Sequence, residues 1–157
     1  MRVTNIIGAL LAMMWIPAAA NAQSTVHPLT GLRSFAIFIE NLEADDEASC
    51  SVTRTGLYTS LRSALNESDI GITDNVRMRD GVIYLSVTVL SDCTAFISLE
   101  VKTEAKIEKT NARMLVPVWE RGRLRTGFSG ASAGAAIRQS VEETAKLLVT
   151  DWSAANK

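Results

Sequence analysis

Residues Val82–Glu104 read VIYLSVTVLSDCTAFISLEVKTE, and this stretch decides the fold. Ile83, Leu85, Val87 and Val89 alternate with Tyr84, Ser86 and Thr88. A short polar turn at Ser91–Asp92–Cys93 follows. The alternation then resumes, with Ala95, Ile97, Leu99 and Val101 set between Thr94, Phe96, Ser98, Glu100 and Lys102. Side chains of a strand point alternately to opposite faces, so a period of two gathers the aliphatics on one side. Two such runs joined by a short turn predict an antiparallel hairpin whose apolar face must be covered by helices.

The helices lie on either side of the hairpin. Ser49–Asn66 carries Leu57, Tyr58, Leu61, Ala64 and Leu65 at helical spacing. From Ser132 to Trp152 a second stripe runs through Ile137, Val141, Thr144, Ala145, Leu148 and Trp152, with Arg138, Glu142, Glu143 and Lys146 opposite. Arg33–Leu42 predicts a first strand, with Phe35, Ile37 and Ile39 on one face and Phe38 on the other. Asp69–Asp80 predicts a short strand or extended link with Ile70 and Ile72 inward, and Asp80–Gly81 a turn. Arg113–Arg121 predicts a last strand, placed at an edge or bulged because Pro117 has no N–H for a ladder. The expectation is one α+β domain over 23–157. It is a two-layer sandwich in β-α-β-β-β-α order, with a mainly antiparallel sheet and both helices on one face.

The first residues read as a leader. Arg2 precedes the apolar run Ile6–Ile16, and Ala20–Asn21–Ala22 is a small-x-small site. That is the pattern of a secretory signal peptide cleaved after Ala22, and the run is short for a membrane anchor. Gln23, not Cys, follows the cut, so a lipoprotein acylation site is lacking. Gln23–Leu32 reads as a loose arm. The chain holds 16 basic and 17 acidic residues, and losing Arg2 leaves a mature net charge of about −2. That balance gives no reason to expect nucleic acid. The reading is a periplasmic protein without stable membrane insertion. In an oxidising compartment Cys50 and Cys93 are most simply a disulfide, which the chain-entropy view values at roughly 4 kcal/mol.

Sequence offers little catalytic chemistry. His27, the one histidine, sits beside Pro28 in the arm, poorly placed to serve as the base of a triad. Gly127–Ala131 misses the last glycine of the nucleophile elbow. Zinc motifs are lacking, and the acidic run Glu43–Glu47 lacks the spaced ligands of a calcium loop and reads as helix capping. Glu40 and Glu100 could do acid–base work only if they met. The expectation is a protein that is not an enzyme and holds no cofactor or metal.

Two features could bind. Arg121, Arg123 and Arg125, followed by Gly127, Gly130 and Gly134 ahead of a helix, could form an anion site. Arginines clamp carboxylate or phosphate, and glycines let backbone N–H groups approach a ligand. Alternatively, this is a turn with solvated arginines. The second feature is the other sheet face, where Tyr84 and Phe96 stand among Ser86, Thr88, Ser98, Glu100 and Lys102. That face suits a protein partner, or is a half-solvated face with a stabilising Tyr84–Phe96 cross-strand contact.

The Gly56–Leu57 helix with its Leu61–Leu65 run carries a resemblance. So do the Ile70–Gly71–Ile72 link, the Ile83–Leu85 strand, the strand with Trp119 and the glycine-rich joint into a long last helix. Together these resemble a group of small proteobacterial envelope proteins. Their layout is similar to the N-terminal domain of the Tol-system translocation protein and to the periplasmic domain of curli-secretion lipoproteins. The resemblance implies an accessory or adaptor role with an envelope protein partner, and transfers no catalytic residue.

Overall fold

The structure is a computed structural model, and it describes residues 26–42, 48–75 and 79–157. The expected leader 1–22 and the acidic run 43–47 lie outside these residues. The elements are β1 Ser34–Ile39, α1 Arg54–Asn66, β2 Gly71–Ile72, β3 Gly81–Val89, β4 Ala95–Lys106, β5 Arg113–Arg125 and α2 Gly130–Ala155. The five strands form one sheet in the order β2-β1-β3-β4-β5. Helices α1 and α2 pack on the same face, giving an α+β sandwich.

The central hairpin forms as expected, with its aliphatics on one face. Ile83 faces Val101, Leu85 faces Leu99, Val87 faces Ile97 and Val89 faces Ala95. All eight are buried and join Phe35 and Ile39 in the core. From the helix side come Leu57, Leu61, Ala64 and Leu65 of α1 and Ile137, Val141, Ala145, Leu148 and Trp152 of α2. The sheet is mixed and, as expected, mainly antiparallel. β3, β4 and β5 form the antiparallel part, whereas β1 pairs in parallel with both β2 and β3. Helix α1 separates β1 from its parallel neighbours, and only such a long return lets a chain re-enter a sheet in the same direction.

Three departures from expectation bear on the site. The first helix starts at Arg54, not Ser49. Ser51 takes a φ of 54°, which a right-handed helix cannot continue. Thr53, in extended backbone, caps α1 by accepting from Gly56 N–H at 3.1 Å. Cys50 therefore lies in a short helical turn before α1, joined to Cys93 at the hairpin tip. β5 runs on through Arg121–Arg125 where a turn was expected, with Leu99 opposite Arg121 and Ala95 opposite Arg125. A bulge opposite Val101 and Lys102 accommodates Pro117 at this edge, as its missing N–H requires. The part of the arm that is described, Val26–Leu32, is held rather than loose. Leu29 is fully buried, Asn156 Nδ2 donates to its carbonyl at 3.0 Å, and Gly31 N–H donates to Asn156 Oδ1 at 2.8 Å. Trp152 Nε1 donates to Leu32 O at 2.6 Å.

Among the described residues no helix is long and apolar enough to cross a membrane.

Candidate functional site: the open sheet face and the arginine row

Strand alternation sends Arg121, Arg123 and Arg125 to the helix side of β5, where α2 meets them with carboxylates. Arg123 Nη1 lies 2.6 Å from Glu143 Oε2, and Arg125 Nη2 lies 3.0 Å from the same oxygen. Arg125 Nε also donates to the buried Ser140 hydroxyl. Arg121 Nη2 reaches Asp151 Oδ2 at 3.3 Å, and Trp119 Nε1 donates to that oxygen at 2.8 Å. The Arg121 guanidinium lies 5.5 Å from the Trp119 ring centre. This row thus already has anionic partners, and those partners join β5 to α2. Gly127 and Gly130 follow at positive φ, 81° and 51°, in the joint that turns the chain into α2. Ser132 Oγ accepts from Ser129 N–H at 3.3 Å at the start of that helix. An incoming anion would have to displace Glu143 from two arginines.

The other face of the sheet carries no element of the described chain. The register places Ala36 and Phe38 of β1 beside Val82 and Tyr84 of β3, followed by Lys102 and Glu100 of β4. Tyr84 and Phe96 share this face but do not pair: Tyr84 is opposite Glu100, and Phe96 is opposite Thr88. The partner of Tyr84 is Phe38, with ring centres 5.2 Å apart and planes 12° from parallel. Lys102 Nζ sits 3.7 Å from the Tyr84 ring centre and 3.2 Å from Glu100 Oε2. Burial and then the charge of the nearby Glu40 carboxylate hold the Tyr84 phenol above its ordinary pKa. Its role is that of a neutral aromatic wall with a polar end. Phe96 lies across the open face over Gly122, where a Cβ would come within 3.0 Å of its ring.

Ala36, Ile37, Phe38, Val82, Tyr84, Leu115 and Arg79 enclose an open cleft of about 310 Å³. Its walls are almost wholly apolar, and Phe38 and Leu115 are nearly half exposed. Mid-face, Ser98 is buried and its hydroxyl has no partner among the described residues. Sequence reading singled out Tyr84 but missed Phe38, Val82, Leu115 and Arg79 as its neighbours. The only sequence signal was that Phe38 falls on the face of β1 opposite Phe35 and Ile39.

Cys50 and Cys93 form the disulfide, with Cα atoms 5.5 Å apart. His27 is exposed and accepts a weak 3.3 Å bond from Leu29 N–H at Nδ1. No group of three His, Cys, Asp or Glu side chains among the described residues is placed to hold a metal ion.

No protein-family model matches this chain, and no curated protein is significantly similar to it.

Proposed function

We propose that this chain is an exported envelope protein that works by contact with a partner protein, which it receives on the open face of its sheet. The observation that carries the reading is the apolar cleft walled by Phe38, Tyr84, Val82 and Leu115, where Phe38 and Leu115 stand nearly half exposed among the described residues. An exposed apolar patch with a charged rim, here Arg79 and Lys102, suits a protein interface, because aromatic anchors carry binding energy at small conformational cost. The disulfide agrees with an oxidising compartment, and the leader pattern with a periplasmic one. The similarity in element order to the Tol and curli-secretion domains points the same way. An accessory or adaptor role, not catalysis, is the function proposed. The anion-site reading of Arg121–Gly130 is less favoured, since Glu143 and Asp151 already occupy the arginines.

A photo-crosslinking residue at Phe38, compared with one at Ala135 on the exposed side of α2, tests this in intact cells. Capture of one envelope protein from position 38 and not from 135 is the expected result. Equal labelling from both positions, or none from 38, rejects the open face.

A further inference from the structure

Among the described residues the edge of the sheet beside this cleft is incompletely paired. β2 covers β1 only at Ser34 and Phe35, and its last bond runs from Thr73 N–H to Phe35 O at 2.9 Å. Backbone groups of a strand alternate between its two edges. Glu40 N–H goes to Leu85 O on the β3 side, so Ile37 and Ile39 turn their N–H and C=O groups to the outside. Those groups have no backbone partner among the described residues. The opposite edge of the sheet is protected differently. β5 carries Pro117 and a bulge, two features that discourage a further strand.

Two pockets flank the bare part of β1, one on each sheet face. The open-face cleft of about 310 Å³ is one. The other, about 260 Å³, lies toward the helices between Ile37, Ile39, Arg54, Thr55 and Tyr58. Ile37 belongs to both. An added strand sends successive side chains to opposite faces, so it would fill the two pockets in turn while its backbone bonds Ile37 and Ile39. Each pocket has an arginine, Arg79 on the open face and Arg54 on the helix side. Among the described residues Arg54 makes one long bond, 3.4 Å to Asn41 Oδ1. A second copy bound by the same edge would bring like charges together, whereas an acidic segment complements them.

We propose that the free edge of β1 over Ile37–Ile39 receives an extended, acidic segment of the partner as an added strand. Apolar side chains enter the Phe38–Tyr84 cleft, and carboxylates on the alternate positions meet Arg54. This rests on the partner reading above and adds the mode of binding.

The probe is a set of capped octapeptides of alternating leucine and glutamate, titrated against the mature protein. Binding should slow amide hydrogen exchange at Ile37 and Ile39 by at least about tenfold. Methylating the peptide nitrogens that face β1 should weaken binding by more than about tenfold while leaving the side chains intact. Ile37→Pro, which removes an outward N–H, should do the same, and the methylated peptides give that answer even if the variant fails to fold. Methylated peptides that bind as well as the parents overturn strand addition. So does the lack of any binding tighter than about 1 mM. Self-association that Ile37→Pro abolishes would make the occupant a second copy and also overturn the proposal. The partner reading itself fails separately, by the loss of Phe38 cross-links in cells.

Discussion

Gly134→Ala should destabilise this protein although it replaces glycine inside a helix. Ordinarily such a change adds about 1 kcal/mol, because alanine restricts the unfolded chain and is the better helix former. Here a Cβ on residue 134 would lie 2.2 Å from Ser51 O, 2.8 Å from Ser51 C and 3.0 Å from Cys50 O. All three are backbone atoms, so no rotamer change relieves the overlap. The adjacent Cys50–Cys93 bond ties this segment to the hairpin tip and hinders its retreat. Overpacking of this kind costs about 1–3 kcal/mol, and contact with pinned backbone belongs at the upper end. The net loss should be about 2 kcal/mol, or about 8 °C in Tm for a chain of this size. Thermal unfolding followed by circular dichroism reads it. The same substitution in a Cys50→Ala, Cys93→Ala background should cost less than about 1 kcal/mol, because the segment is then free to shift, and this non-additivity is the signature of the pinning. A Tm equal to or above the parent's refutes the close approach of α2 to Ser51. A penalty unchanged without the disulfide refutes the pinning.

Other outcomes follow from the same contacts. Removing the disulfide by Cys50→Ala with Cys93→Ala should cost up to about 4 kcal/mol in denaturant unfolding. Glu143→Gln takes the carboxylate from Arg123 and Arg125, and for side chains about one-third exposed the loss should be about 1 kcal/mol, shrinking as salt is raised. Asp80 Oδ2 accepts from the N–H groups of both Arg33 and Ser34 at 2.8 Å, and those two bonds hold its pKa below the ordinary value. Its contribution is therefore complete above the unfolded pKa of about 4 and is lost as pH falls through the lower folded value. Asp80→Asn should lower Tm at neutral pH and flatten the acid side of the Tm–pH curve; an unchanged acid limb contradicts this.

Much of the fold was legible because local chemistry agreed with it. The period of two in Val82–Glu104 marked the hairpin, and the stripes through Leu57–Leu65 and Ile137–Trp152 marked the helices, since each side chain's burial follows from its own spacing. The candidate site was half legible. Tyr84 was placed on the open face by alternation, but its stacking with Phe38 depends on parallel pairing of β1 with β3, which no spacing within either strand encodes. Arg121, Arg123 and Arg125 alternate as a strand does, yet with Gly122 among them they read as a turn. Only the ladder to β4 and the carboxylates of α2 make them a paired row.

The sequence by itself determined the two layers, the helical stripes and which residues of each strand are apolar, because period and composition act within a single element. Tertiary structure alone decided the partners. The parallel placement of β1, the two-residue pairing of β2 with it, the closeness of Gly134 to Ser51 and the neutralised arginines all bring together residues far apart in the chain. Such contacts depend on the order in which strands assemble in the sheet, and that order is a property of the whole packed chain rather than of any segment.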